Sequence, residues 1–474
     1  MLEAVSLAAG DFPQGGMMGV TLRAVALLGL VALLFGSPAY GANAPFASLS
    51  GLTPPQRAMA AGIQTTCQAL APISATLSGA TQDLFFRCRE MVQTSNQLQG
   101  AGPPGFSLGL STQGLAEVLD RVSHEQDTTK GTGAVETSSD QFRAVGARLA
   151  ALRGGARGLS LGGLKFEVDG KIVTASRFFG IEEKGGGASA DSGLLSRLGA
   201  FVNGNGGFGT RDGTDQALGF DFTTGGITAG ADYRFTDNLI FGVAFNYLRT
   251  DADLNNLFGD VNTRGYGGSL YGTYYIGAFH LDVHGGFTWN KYDTKRNITY
   301  AAINRTATGS TDGQQYEADL GVGYDFHLGG FTLTPLGRAE YLNLSIESFR
   351  ENGAQGLDLT VRGQRLQSVR TAVGLQVSYA FSVPFGVLVP QLRGEWRHEF
   401  KNDARSVTAT YSNDPFGTAI VIPTEFPDRN YFALAAGISG AFARGISAFV
   451  NYETLLGLRD VTNHQFTGGV RFEF

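Results

Sequence analysis

Several short patterns in this chain combine residue types that chemistry uses. Gly105-Phe106-Ser107-Leu108-Gly109 and Gly158-Leu159-Ser160-Leu161-Gly162 both spell the serine elbow of a hydrolase, in which a sharp turn between a core strand and a helix lifts the serine. Neither pattern sits between such elements, and His124 is the one histidine before residue 280, so a triad lacks credible partners. Gly204-Asn205-Gly206-Gly207-Phe208-Gly209 has dinucleotide-fingerprint spacing, but it lies inside an alternating stretch with no helix after it. His280, Asp282 and His284 fall at period two on one strand face; three groups in a row with no fourth ligand make a poor metal site. Catalytic residues, cofactor and metal are all expected to be none. The only two cysteines are Cys67 and Cys88. In an exported chain a single pair is most simply one disulfide, worth about 3 kcal/mol in the chain-entropy account. Two buried free thiols are the alternative.

The elements that position these residues are clearest at the end of the chain. Phe466, Gly468, Val470, Phe472 and Phe474 fall on one side of an extended strand, and Thr467, Gly469, Arg471 and Glu473 on the other. An outer-membrane barrel strand turns its apolar residues to lipid and its polar ones to the lumen; an edge strand of a soluble sandwich is the competing reading. The set Thr467, Gly469, Phe472 and Phe474 resembles the pattern by which bacterial outer-membrane proteins end. That resemblance implies recognition by the barrel-assembly machinery.

Composition agrees with lipid-facing strands. The 474 residues include 68 glycines and 11% aromatics but only 16% charged residues, against roughly 25% in soluble domains. A net charge of −6 and the lack of a basic stripe exclude a nucleic-acid partner. No apolar run of spanning length occurs beyond the N-terminus. Residues 1–41 read as a secretory signal, addressed to the secretory translocon: Arg23 gives the positive charge, 24–35 the apolar core, and Ala39-Tyr40-Gly41 a small-x-small cleavage site. Cleavage is expected after Gly41, since a cut after Ala44 would place Pro45 beside the scissile bond. Glu3 and Asp11 are unusual ahead of a signal core, so translation is expected to start at Met17 or Met18.

Residues 42–105 read as a helical, cysteine-containing passenger segment. One helix is expected from Pro54 or Pro55 to about Leu70. A second, from Gly79 to about Leu98, carries Leu84, Phe85, Cys88, Met91 and Val92 at three-and-four spacing, and Pro72 separates the two. Residues 106–190 read as a linker with a weak helix over 111–124, a better one over 138–153 capped by Ser138-Ser139-Asp140, and a hairpin over 164–174 turning on Asp169-Gly170.

From 191 to 474 the alternation is sustained. In 316–328, Tyr316, Ala318, Leu320, Val322, Tyr324 and Phe326 alternate with Glu317, Asp319, Gly321, Gly323, Asp325 and His327. Such a row of acids and glycines suits a lumen, not a soluble core. Twelve strands are expected, at 198–209, 219–235, 238–250, 263–276, 279–293, 314–328, 331–347, 365–381, 386–400, 430–443, 445–458 and 463–474. Their connections alternate short and long, with 401–429 the longest. The fold class is thus an all-β transmembrane barrel of twelve antiparallel strands, preceded by a small, mainly α-helical region, in contact with outer-membrane lipid and monomeric.

The stretch Gly199 to Tyr247, including Gly219-Phe220-Asp221-Phe222 and the run Gly225 to Leu239, resembles the autotransporter β-domain of type V secretion, as do Val389-Pro390, Trp396 to Phe400, Asn451-Tyr452-Glu453 and the terminal Phe474. The resemblance implies a barrel that carries its own N-terminal passenger across the bacterial outer membrane, with a linker threading the pore. Unlike large passengers, this one is short and has no β-helix repeats.

Strand parity points Glu317, Asp319, Arg338, Glu340, Arg393, Glu395, Arg397, Glu453, Arg471 and Glu473 into the lumen. They would contact the linker, or else only pair across neighbouring strands. The leading function is export or display of the N-terminal segment at the cell surface. The alternative is an outer-membrane channel or structural barrel whose N-terminal region stays periplasmic or plugs the lumen. Arg143, Arg148 and Arg153 make 138–153 the first candidate for the pore-filling segment, with crosslinking expected between Arg148 and Glu453; residues 189–198 are the second.

Overall fold

The computed structural model describes residues 44–102, 105–127, 165–168, 171–174, 197–401, 405–425, 428–442 and 446–473. The signal sequence expected over 1–41 and the helix expected over 138–153 lie outside these residues. The small hairpin is present, with Lys165–Val168 pairing antiparallel to Lys171–Thr174.

Alternation of lipid-facing and lumen-facing residues builds one closed barrel. Its strands are β1 (Leu198–Arg211), β2 (Phe220–Thr236), β3 (Leu239–Leu254), β4 (Gly259–Ile276), β5 (Phe279–Tyr300), β6 (Ile303–Tyr324), β7 (Phe331–Ile346), β8 (Gln364–Tyr379), β9 (Gly386–Glu399), β10 (Asn430–Phe442), β11 (Ile446–Leu456) and β12 (Val461–Glu473). Each pairs antiparallel with its chain neighbour, and β12 returns to β1 with Phe466 opposite Gly206 and Arg471 opposite Phe201. Closure leaves no free edge, and so satisfies the backbone polar groups that lipid cannot. Ile227, Phe245, Leu270, Leu320, Val373, Leu392, Leu434 and Val450 stand exposed on the outer wall. Among the described residues no helix is long and apolar enough to cross a membrane.

One rim carries tight connections such as Gly277 with its φ of 61° and Gly329 with its φ of 64°, left-handed positions that glycine takes at little cost. β1 begins at this rim, and β12 ends there. The opposite rim carries the long connections, which marks it as the external one. Here the structure extends further than the alternation suggests: β5 and β6 each run 22 residues, about twice what a bilayer requires. Their outer ends are stabilised differently, because Ile298 and Ala307 there are fully buried and Tyr300 lies beside Arg87 and Glu90 of the N-terminal region. The connection 347–363 and the described parts of 400–429 are also structured. Phe349–Arg350, Leu359–Val361, Ser406–Tyr411 and Ile420–Pro423 form a separate four-stranded antiparallel sheet on the rim.

The N-terminal region folds into three helices, α1 (Pro54–Leu70), α2 (Gly79–Leu98) and α3 (Thr112–Val122). Thr53 and Gln56 form a reciprocal capping box that starts α1, an arrangement in which the cap alone contributes about 1 kcal/mol. Met59, Ile63, Cys67 and Leu70 then fall on its buried face. The Cys67–Cys88 disulfide ties α1 to α2, with the Cα atoms 5.6 Å apart. α3 packs with them: Gln56 Nε2 donates to both carboxylate oxygens of Asp120, at 2.9 and 3.0 Å.

Candidate functional site: the lumen and its outer rim

The lumen divides into two walls of different charge. On one wall, β7 to β11 carry a continuous arginine–glutamate ladder. Arg338 donates to Glu395 at 2.9 Å and lies 3.4 Å from Glu340. Arg397 donates to Glu395 and to Glu453, each at 2.9 Å. Arg393 donates to Glu453 at 2.9 Å and lies 3.4 Å from Glu395. The sequence makes room for these contacts with small residues at the registers between them. Ala435 stands between Arg393 on one side and Glu453 on the other, and Gly374 is paired with Glu395. A Cβ added to Gly374 would fall 2.8 Å from Cγ of Glu395, so larger residues here would close the ladder.

Arg370, Glu399 and Tyr431 complete this wall and were not singled out in the sequence. Arg370 pairs with Glu340, donates to Tyr431 Oη at 3.0 Å and lies 3.7 Å from Glu399. They lie on the same strand faces as the residues that were, so parity alone would have found them. The same holds for Asp232 on β2, 3.7 Å from Arg471 on β12 with β1 between them.

The facing positions of β5 and β6 are acidic along the lumen, and the arginines of these two strands, Arg296 and Arg305, lie only at their outer ends. Asp282 and Glu317 are buried, and Glu317 accepts from Gln315 Nε2 at 3.2 Å. His284 Nε2 lies 3.9 Å from Glu317. Asp319 is paired in register with His284. His280 instead approaches Asp325, at 3.9 Å. Among the described residues no group of metal-type side chains converges.

On the terminal strand Thr467 is buried on the lumen side and Phe472 is exposed on the lipid side. Gly469 lies against Asn203, whose side chain occupies the space a Cβ would need. The backbone of Glu473 pairs with Gly199; Phe474 lies outside the described residues.

At the external rim the helical unit is fitted onto the long connections. Arg305 on β6 grips Asp83 of α2 at 2.5 and 2.9 Å, and the Gly356 N–H donates to the same carboxylate at 3.0 Å. Burial alone would raise the Asp83 pKa, but Arg305 and Gly356 outweigh it and hold it below the ordinary value. Arg296, 1% exposed, forms a bidentate pair with Glu351 and donates to the carbonyls of Arg121 at 3.3 Å and Leu357 at 2.9 Å. His124 Nε2 meets the Val407 carbonyl at 3.0 Å, and burial holds its pKa down. Ser107 Oγ accepts from the Gly109 N–H at 3.1 Å and lies 3.5 Å from Thr94 Oγ1, so neither half of a Ser–His pair is directed at the other. Ser160 lies outside the described residues.

A closed barrel with a greasy outer wall, a polar lumen, tight turns at one rim and long connections at the other defines an outer-membrane β-barrel. Residues 200–453 match the family model for the autotransporter beta-domain, more than half of the chain, and the chain belongs to that family. It is 27% identical over 287 residues to Outer membrane protein A of Rickettsia conorii, covering 58% of this chain and 14% of that protein. It is also 25% identical over 254 residues to Esterase EstA of Pseudomonas aeruginosa, covering 52% of this chain and 38% of that protein. The chain therefore spans well under half of these relatives' length. The translocator domain of autotransporter NalP from Neisseria meningitidis overlays with a TM-score of 0.48 at 17% identity, covering 59% of this chain and 89% of that one. This protein is thus a bacterial outer-membrane barrel of the autotransporter beta-domain family.

Proposed function

We propose that the chain exports its own N-terminal helical unit and displays it at the cell surface, with the connection back to β1 running through the lumen. One observation carries this reading. The described helical unit ends at Asp127, whose carbonyl accepts from Gln364 Nε2 at 3.3 Å on the external rim, whereas β1 starts at Leu198 on the opposite rim. The chain between them must cross the membrane. A path outside the barrel would expose unpaired backbone to lipid, so the polar lumen is the path that remains.

In this reading the signal over 1–41 directs the chain to the secretory translocon. Thr467, Gly469, Phe472 and Phe474 present it to the barrel-assembly machinery, the barrel is monomeric, and the protein performs no catalysis. The arginines of 138–153 would meet the lumen. The ladder wall is internally neutralised, four arginines against four glutamates, so Glu453, held by both Arg393 and Arg397, is a poorer partner than the acidic wall of β5 and β6. Cysteines at Arg148 and at Asp319 should therefore crosslink. Crosslinking to Asp319 from Ser192 but not from Arg148 would move the pore-filling segment to 189–198, and no crosslink from either would overturn threading.

A further inference from the structure

We propose that the external rim is a docking site that holds the helical unit non-covalently, so that the unit stays on the barrel even when the chain joining them is cut. This rests on the display reading for its location, but not for its chemistry. Ser123, His124, Glu125, Gln126 and Asp127 are five consecutive polar residues, none more than 4% exposed. A small helical unit standing alone would leave such a tail in water, since burying polar groups without partners is costly. The Ser123 hydroxyl accepts from the Glu125 N–H at 3.0 Å within the tail, and the rim supplies partners for the other four. His124 meets the Val407 carbonyl at 3.0 Å, and Gln126 Nε2 donates to Glu351 at 3.4 Å. The Glu125 carboxyl is hydrogen-bonded by the backbone of Leu218, and the Asp127 carbonyl accepts from Gln364.

The contacts are spread around the mouth. Leu218 belongs to the β1–β2 connection. Phe258, which follows β3, lies 4.8 Å beneath the Arg121 guanidinium. Arg305 on the β5–β6 hairpin holds Asp83, Gly356 lies in the β7–β8 connection, and Thr81 Oγ1 donates to the Asn413 carbonyl of the β9–β10 connection at 3.0 Å. A unit gripped from so many sides cannot tilt away by breaking one contact.

The fit is also steric. A Cβ on Gly62 of α1 would lie 2.6 Å from Cγ1 of Ile420, and one on Gly356 would lie 2.3 Å from the backbone nitrogen of Leu84. Such packing matches a protein interior rather than a loose tether. A passenger meant for release would have no use for a socket cut to its backbone.

The test uses the full-length mature protein purified in detergent, with a specific protease site inserted after Gly133. After cleavage, the helical unit should co-elute with the barrel in gel filtration. Asp83→Arg, combined with Gly62→Phe, should release it on the order of tenfold faster or more, while the barrel keeps its heat-modifiable migration. Separation of the unmutated unit from the barrel on cleavage would overturn the proposal. So would co-elution unaffected by the double substitution. Detergent removes membrane sidedness from the experiment, so a wrong orientation would leave this result unchanged and would show only in surface labelling of intact cells.

Discussion

The lumen and the external rim both bury arginine against carboxylate, but they are assembled by different rules. In the lumen, Arg338, Arg370, Arg393 and Arg397 meet Glu340, Glu395, Glu399 and Glu453 on the same strand, the next or the next but one, each placed by alternation and register. At the rim, Arg296 meets Glu351 from 55 residues away and Arg305 meets Asp83 from 222 residues away, through elements that no local pattern links. The ladder shares charge among several partners, so losing one leaves others. The Arg296–Glu351 pair sits 1% exposed on each side and has no such reserve. Redundancy in the wall, and its absence at the Arg296–Glu351 pair, is the difference to test.

The largest effect is expected at that isolated pair. Arg296→Leu leaves Glu351 buried without its cation, a loss of about 3–5 kcal/mol. Limited proteolysis should then digest the helical unit while the barrel resists. Equal resistance of both parts would remove the contrast between rim and wall.

Next comes the disulfide. Cys67→Ser with Cys88→Ser should cost the helical unit about 3 kcal/mol and leave barrel heat-modifiability unchanged. A barrel that fails to assemble would show that the two regions do not fold separately.

Within the ladder, Glu395→Gln weakens contacts to Arg338, Arg393 and Arg397 together. Glu340 and Glu453 remain beside them, so the loss should be smaller, about 1–3 kcal/mol, read as a lower temperature for loss of the compact electrophoretic form. A loss as large as that from Arg296→Leu would argue against shared charge.

The last prediction is a pH dependence of the helical unit on the rim. Burial, with Asp120 nearby, pushes Glu125 from 4.5 up to about 8, and burial pushes Asp120 from 3.8 up to about 6. Both folded-state values are raised, so the folded unit binds these protons more tightly than the unfolded chain. The stabilisation is fully present below the unfolded values and is lost as pH rises through about 6 and then about 8. The pKa of Asp83 is lowered from 3.8, so its contribution is lost only in stronger acid, outside that window. His124, held below its ordinary 6.5, works the opposite way as pH rises towards that value, so the thermal midpoint of the helical unit should fall between pH 7 and pH 9, and Glu125→Gln should flatten the fall.

The same contrast explains what the sequence could reveal. Side chains at period two, acids and glycines against aromatics, place most of the ladder, and Arg370, Glu399 and Asp232 follow from the same rule. The outer ends of β5 and β6 escape it because their inward residues change character, from His284, Thr288 and Asn290 to Ile298 and Tyr300. A polar-in pattern becomes apolar-in where the lumen gives way to the helical unit. The rim contacts were not legible at all, since Asp83 reads locally as an ordinary helix acid and Arg305 as a loop cation. Their pairing exists only once the barrel brings the β5–β6 hairpin over α2.

The location of the helical unit is tested most directly by labelling intact cells with a membrane-impermeant maleimide. The native cysteines are joined to each other, so a single introduced thiol reports alone. Arg57→Cys on exposed α1 should label without permeabilisation, and Asp237→Cys, exposed in the tight β2–β3 turn, only after it. Labelling of the 237 position on intact cells, or protection of the 57 position until the outer membrane is opened, would contradict display of the helical unit at the cell surface.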